Sequence, residues 1–151
     1  MEQLVYFDYA ATTPVRPEAR EALLEALDGF GNPSSRYGFG REAAQRVKAD
    51  RETVAAALGC APGEVTFTSC GTEGDNWALR RGAERNRRRG KHIVTTAIEH
   101  AAVLETCRDL EREGYEVTYL KPDKAGRITA EQVAAALRPD TALVSMMLVN
   151  N

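Results

Sequence analysis

The residues best suited to bind an anion lie in the segment Ser69–Asn76, which follows a predicted strand and begins a predicted helix. Small residues around Gly71 let backbone N–H groups approach an anion, the Thr72 hydroxyl adds a donor, and the helix dipole favours negative charge there. The segment has neither the dinucleotide-binding nor the nucleoside-triphosphate glycine pattern. A helix cap formed by Thr72, with Asp75 in place of the usual Glu, is an equally good interpretation.

His100 is the second candidate, because it follows Glu99 at the end of the predicted strand His92–Thr96 and precedes a predicted helix. An imidazole in this position can stack on an aromatic cofactor or move protons. A structural or merely solvated histidine is the alternative. His92 begins its strand at the opposite edge, and we expect it to be structural.

Asn150 and Asn151 form the third candidate, since they follow an apolar predicted strand. Amides at the point where a buried strand emerges need partners, because an unpaired buried polar group costs about 1–3 kcal/mol. A turn at the end of the strand would satisfy them as well as a ligand would.

Predicted helices and strands alternate along the chain and must position these candidates. The helices are predicted over 17–27, 40–58, 71–88, 100–112 and 130–137, and the strands over Val65–Ser69, His92–Thr96, Tyr115–Leu120 and Thr141–Val149. This alternation predicts an α/β fold of three layers, α/β/α, around a mainly parallel sheet. Ligands bind at the carboxyl ends of the strands in such sheets, so the three candidates should share one edge.

Composition and charge exclude several classes of protein. The 151 residues are 43% hydrophobic and 28% charged with a net charge of −2, which argues against nucleic-acid and membrane-surface proteins. The basic cluster Arg85–Lys91 is best explained as a solvated helix end, with a docking patch for an acidic partner as the alternative.

The three cysteines, Cys60, Cys70 and Cys107, have no paired spacing, which favours a reducing compartment and a cytoplasmic protein. We expect no signal peptide, no membrane span and no metal site.

Five segments, in this order and spacing, resemble the cysteine desulfurases of the class V aminotransferase superfamily, which use pyridoxal 5'-phosphate. They are Tyr6–Pro14, Phe30–Ser35, Phe67–Glu73, Thr96–His100 and Val149–Asn151. The resemblance implies that residues 16–151 are the N-terminal part of an incomplete large domain of the aspartate aminotransferase type. Residues 1–15 would form an N-terminal arm associated with the small domain.

The resemblance also implies roles for single residues in binding the cofactor. Gly71 and Thr72 match the positions that hold the cofactor phosphate. His100 matches the histidine that stacks over the pyridine ring and is proposed to move protons, and is therefore the implied catalytic residue. Asn151 matches the asparagine that hydrogen-bonds the hydroxyl of the ring.

The implied reaction takes sulfur from L-cysteine, leaving L-alanine and an enzyme persulfide for iron–sulfur cluster or thio-cofactor assembly. Ala11, Thr12 and Asn32 match segments that border the substrate pocket. The implied partners are a second copy in a homodimer and a sulfur-acceptor or scaffold protein.

Several positions depart from the family pattern. Cys70 stands where many members have glycine, and we interpret it as structural because the sulfur-accepting cysteine of the family lies far downstream. Tyr37 replaces a common histidine and Gly74 a common serine.

The family mechanism also needs a lysine that bonds to the cofactor, an aspartate at the ring nitrogen and a sulfur-accepting cysteine. None of the lysines, Lys48, Lys91, Lys121 and Lys124, lies in the Ser-x-His-Lys setting that the family uses. We therefore expect this N-terminal portion to act with a complementary C-terminal polypeptide. The alternatives are another class V enzyme, such as a selenocysteine lyase, or a non-catalytic remnant that dimerises or binds a scaffold.

Overall fold

The computed structural model describes residues 5–150, which form two compact units that divide between Phe67 and Thr68. The first unit contains helix α1 (Pro17–Leu27), helix α2 (Gly38–Leu58) and a short 3₁₀ helix (Pro62–Glu64). Pro17 occupies the first turn of α1, where its missing N–H is not needed. Gly59 ends α2 with a φ of 69°, the left-handed conformation that glycine adopts most easily. Both predicted helices are confirmed, with α2 beginning two residues early.

The second unit consists of alternating helices and strands. In chain order they are α3 (Gly71–Arg85), β1 (His92–Thr96), α4 (Ala101–Arg112), β2 (Glu116–Leu120), α5 (Ala130–Ala136) and β3 (Thr141–Val144). The strands form a sheet of order β2-β1-β3 in which both pairs are parallel. The predicted α/β fold with a parallel sheet is confirmed.

The strand order also determines where the crossover helices lie. The chain moves from β1 to its neighbour β2 and then returns past β1 to reach β3. The crossover from β1 to β2 and the crossover from β2 to β3 run in opposite directions across the sheet. Because nearly all such crossovers are right-handed, their helices α4 and α5 lie on opposite faces of the sheet. This is the predicted three-layer arrangement.

The core of the second unit is built around β1, all of whose residues are buried. On one face Ile93 packs with Ala83 of α3 and Leu110 of α4. Gly82 lets α3 approach β3 closely, since a Cβ there would lie 3.0 Å from the Leu143 side chain.

His92 lies fully buried at the amino end of β1. Its Nδ1 lies 2.8 Å from the Thr141 hydroxyl and its Nε2 lies 2.9 Å from the Thr118 hydroxyl, so both ring nitrogens have partners on the flanking strands. Burial is the main cause that lowers the pKa of His92. The predicted structural role of His92 agrees with this geometry.

Two predicted strands differ from the structure. Val65–Ser69 forms no strand in the described part of the chain, where no neighbouring segment pairs with it. An extended segment becomes a strand only when a partner takes its hydrogen bonds, and a single sequence does not reveal the partner.

The strand predicted over Thr141–Val149 ends at Val144 instead. The Ser145 N–H still reaches Val94 O at 2.9 Å, but the Met147 N–H donates to the Glu99 carboxylate rather than to a strand. A side chain therefore ends the ladder where the apolar sequence predicted that it would continue.

Candidate functional site

Helix α3 begins at Gly71 with Cys70 as its N-cap residue, and no side chain caps it there. Thr72 lies inside the first turn, so the predicted capping box of Thr72 and Asp75 is wrong. The residue that reaches back is Glu73, whose Oε2 accepts a hydrogen bond from the Ser69 N–H at 2.6 Å. Glu73 follows the N-cap residue Cys70 by three residues, so the acidic side chain that folds back belongs to a cap two residues earlier than the predicted one.

The start of α3 retains its capacity to bind an anion. The first N–H groups of a helix have no partner within the helix, and here the cap residue Cys70 offers them only a thiol, a weak acceptor. Gly71 and Thr72 are exposed, and a Cβ at Gly71 would meet no heavy atom within 4 Å. An exposed helix start whose N–H groups have at most a weak partner suits a phosphate, which the helix dipole also favours.

Cys70 has an exposed thiol, and its Sγ lies 3.8 Å from the Ser69 hydroxyl. Hydrogen bonding from the backbone N–H of Glu73, and then from the Ser69 hydroxyl, lowers the pKa of this thiol. Cys107 is the opposite case, since burial raises its pKa to about 11.

His100 is the N-cap residue of α4, and its Nδ1 accepts a hydrogen bond from the Ala102 N–H at 3.1 Å. An accepting Nδ1 places the hydrogen of the neutral ring on Nε2. The residue is exposed, so Nε2 is the nitrogen left for a ligand. His100 thus has a capping function, one form of the predicted structural alternative, and keeps one ring nitrogen for chemistry.

Asn150 attaches the segment that follows β3 to the loop that follows β1. Its side-chain Nδ2 donates to Ile98 O at 2.7 Å and lies 3.5 Å from Met147 Sδ. The predicted ligand Asn151 lies outside the described residues.

Glu99 has a structural position that sequence reasoning did not assign. Its side chain is buried, and its Oε1 accepts hydrogen bonds from the Thr96 hydroxyl at 2.8 Å and the Met147 N–H at 2.9 Å. The feature of the sequence that could have indicated this role is an acidic residue at the end of a buried strand.

Helices α3 and α4 both border a cavity beside the end of β3. Asp75, Val103 and Ser145 line a shared cavity of about 200 Å³. Asp75 follows Thr72 by three residues and Val103 follows His100 by three. The beginnings of α3 and α4, and with them the turn predicted to bind an anion and His100, therefore lie at the same edge of the sheet.

The residues predicted to border the substrate pocket lie in the first unit. The Ala11 N–H donates to Asp8 O at 3.0 Å and the Thr12 carbonyl accepts from the Tyr6 hydroxyl at 3.1 Å, which forms a turn. Asn32 Oδ1 accepts from the Ser34 N–H at 2.9 Å, a side-chain turn typical of asparagine.

The Asn32 loop lies tightly against the start of α2. A Cβ on Gly40 would lie 2.0 Å from the Ser35 hydroxyl, and one on Gly31 would lie 2.4 Å from Phe39 O. Both positions therefore require glycine for close approach.

Within residues 5–150, no group of three or more His, Cys, Asp or Glu side chains is placed to hold a metal ion. None of the described helices combines the length and the apolar character that crossing a membrane requires.

The sequence profile of the class V aminotransferases matches residues 5–151 of the chain. Among curated proteins, the cysteine desulfurase IscS of Acinetobacter baumannii (strain AYE) is 51% identical over 156 residues. The IscS of Shewanella pealeana is 50% identical over 155 residues. Both alignments include the whole of this chain but only 38% of the relative, so the chain spans well under half the length of these proteins.

Solved structures of related proteins share the fold. A NifS-like protein superposes with a TM-score of 0.89 at 42% identity, covering 97% of this chain and 40% of that protein. A structure described as SspA in complex with cysteine gives a TM-score of 0.88 at 40% identity, covering 96% and 42%. DndA from Streptomyces lividans gives 0.81 at 44% identity, covering 97% and 42%.

Proposed function

We propose a function from one premise: the chain belongs to the class V aminotransferase family. It binds pyridoxal 5'-phosphate as part of a cysteine desulfurase, an enzyme that takes sulfur from L-cysteine and leaves L-alanine. The sulfur passes through an enzyme persulfide to iron–sulfur cluster or thio-cofactor assembly. The identity to curated cysteine desulfurases over the whole chain supports this choice within the family.

The exposed start of α3, where no cap residue forms a regular side-chain hydrogen bond, is the observation that carries the proposal. Gly71 and Thr72 are exposed there, and α3 and α4 border one cavity through Asp75 and Val103. Gly71 and Thr72 hold the cofactor phosphate through backbone N–H groups and a hydroxyl. His100 packs against the ring, and Asn151 donates to the ring hydroxyl. When bound, the cofactor supplies an electron sink for the bonds at the α-carbon of the amino acid.

His100 holds or moves a proton under a constraint that its cap imposes. With Nδ1 accepting from Ala102, Nε2 carries the hydrogen and donates a hydrogen bond. The cap on Nδ1 therefore leaves Nε2 as the ring nitrogen that faces the cofactor or the substrate in this proposal.

Ala11, Thr12 and Asn32 border the pocket for L-cysteine in this proposal, and the cysteine complex of the related SspA supports the substrate. The lysine that bonds to the cofactor, the aspartate at its ring nitrogen and the sulfur-accepting cysteine come from polypeptide beyond these 151 residues. The completed enzyme is a cytoplasmic homodimer that delivers sulfur to an acceptor or scaffold protein.

Binding of pyridoxamine 5'-phosphate to the chain tests the proposal, because this amine form cannot react with surface lysines. Phosphorus NMR titration should detect binding, and Thr72→Val should weaken it by about three- to ten-fold through loss of one hydrogen bond. Thr53→Val, which alters an exposed helical threonine of the first unit, is the matched control and should leave binding unchanged.

Pyridoxamine without the phosphate should bind much more weakly, and equally to both variants. Equal affinity for the two amines would overturn the phosphate site. Formation of alanine from L-cysteine by the chain together with the C-terminal portion of a relative then tests the reaction itself.

A further inference from the structure

We propose that Glu99 is a positioning residue for the cofactor edge, an inference that rests on the proposed function. Its buried carboxylate fixes the loop 97–100, which carries His100, to the segment 145–150, which leads to Asn151. Neither the sequence motifs nor the similarity to known proteins assigns this role to Glu99.

The carboxylate is buried in a way that fold stability alone does not explain. Glu99 is 8% exposed, and within residues 5–150 no lysine or arginine forms an ion pair with it. A buried carboxylate is costly unless hydrogen bonds satisfy it, and an apolar side chain of the same size often stabilises a fold as well or better. Its two hydrogen bonds therefore point to a role in fixing geometry.

Both bonds end on one oxygen and come from two different segments of the chain. The Thr96 hydroxyl, at the last residue of β1, donates to Oε1 at 2.8 Å. The Met147 N–H, three residues beyond the end of β3, donates to the same oxygen at 2.9 Å. Oε1 thus sets the distance between the two chain segments that leave the sheet side by side.

A second contact joins the same two segments and restrains their relative rotation. Asn150 Nδ2 donates to Ile98 O at 2.7 Å. His100 follows Glu99 directly, and Asn151 follows Asn150. The two links together fix the loop that carries His100 to the segment that leads to Asn151.

The test compares Glu99→Gln with Glu99→Met in the full chain, because both replacements keep the length of the side chain. Glutamine retains an oxygen that can accept both bonds, whereas methionine retains none. Hydrogen exchange at the Met147 amide should quicken on the order of ten-fold or more in the methionine variant, as expected for loss of a bond to a charged group. The glutamine variant should stay within about three-fold of the unchanged chain.

Affinity for pyridoxamine 5'-phosphate, measured by phosphorus NMR, should follow the same order. It should fall on the order of ten-fold in Glu99→Met and little in Glu99→Gln. Thr118→Val is the control for general destabilisation, since it removes a bond to His92 at the opposite edge and should leave the affinity unchanged. If Glu99→Met does not fold, Thr96→Val takes its place in the test. It keeps the carboxylate but removes one of the two donors, and it should weaken binding moderately.

The possible outcomes separate this inference from the proposed function. If the unchanged chain binds pyridoxamine 5'-phosphate and the Glu99→Met and Glu99→Gln variants bind it with equal affinity, the positioning role alone is overturned. Failure of the unchanged chain to bind the phosphate compound would overturn the proposed function, and the positioning role with it. A Met147 amide equally protected in both variants would show that the carboxylate does not link the two segments.

Discussion

His100 uses one ring nitrogen to cap α4, and this cap can be separated experimentally from any cofactor contact. Asparagine is a favoured N-cap residue, whereas alanine is not, so His100→Ala should lower the free energy of unfolding by about 1 kcal/mol. His100→Asn should restore most of that stability without restoring the imidazole. Urea unfolding of the two variants measures the cap.

Binding of pyridoxamine 5'-phosphate completes this comparison. Both variants should bind it more weakly than the unchanged chain, because both lose the ring. Unchanged affinity in His100→Asn would limit the histidine to its capping function.

His92 gives the second unit a pH dependence of stability with a definite sign. Its folded-state pKa lies below the ordinary value of about 6.5. Above that pH the ring is neutral in both states. As the pH falls below about 6.5, His92 binds a proton in the unfolded chain but not in the folded chain, so the free energy of unfolding decreases.

The charged groups near His92 titrate in a different range. Hydrogen bonds from Arg138 lower the pKa values of Glu116 and Asp140, so the stability they contribute is present above about pH 4 and is lost below it. Urea unfolding between pH 5 and 7 should therefore report His92, and His92→Gln should flatten the profile. A flat profile for the unchanged chain would contradict the assignment.

Among single residues, the sequence predicts roles for groups with recognisable chemistry but not for those defined by their partners. The Gly71–Thr72 turn and His100 could be proposed from residue type and from their position after a predicted strand, and their cofactor roles stay predictions. Glu99 was missed as a link, since its partner Met147 lies 48 residues away in the chain. The interpretation of Thr72 as a helix cap was wrong because the N-cap residue is Cys70, two residues earlier.

At the scale of elements, the Asn32 loop and helix α2 provide a paired test of close packing. Gly40→Ala would place a methyl group 2.0 Å from the Ser35 hydroxyl and 2.8 Å from Asn32 O. Overpacking of this kind costs about 1–3 kcal/mol. Gly38→Ala lies in the same helix with nothing within 4 Å, so it should be neutral or stabilising.

The midpoint of thermal unfolding should therefore fall in Gly40→Ala, and it should stay the same or rise in Gly38→Ala. Equal destabilisation would show that the contact at Gly40 does not constrain the loop.

The helices and the central strand followed from periodicity, caps and glycine stops. Gly59 and Gly114 end their helices or turns with positive φ, which the sequence signals directly. Val65–Ser69 and the far half of the strand predicted over 141–149 did not form, because pairing depends on neighbours that local sequence does not specify.

At the scale of the whole molecule, each unit presents large apolar side chains to solvent. In the first unit Leu27 and Phe30 are 72% and 83% exposed, and in the second Leu148 and Val149 are 98% and 78% exposed. Soluble monomers rarely leave large contiguous apolar surface uncovered. We therefore expect the 151-residue chain to associate with itself or with further polypeptide.

Sedimentation at micromolar concentration should show species larger than the 16.5 kDa chain. Leu27→Gln combined with Leu148→Gln should reduce the association. A monodisperse monomer of the unchanged chain would contradict the expectation.

The order β2-β1-β3 also has a consequence for the sequence of events during folding. Strands β1 and β2 are joined by a single local crossover. Strand β3 can pair with β1 only after the chain that leaves β2 has crossed back over β1, which closes a longer loop. Until it does, the Glu99 carboxylate has only its neighbour Thr96 as a partner. During synthesis on the ribosome, the edge proposed to bind the cofactor therefore assembles only when residues 141–150 emerge and dock.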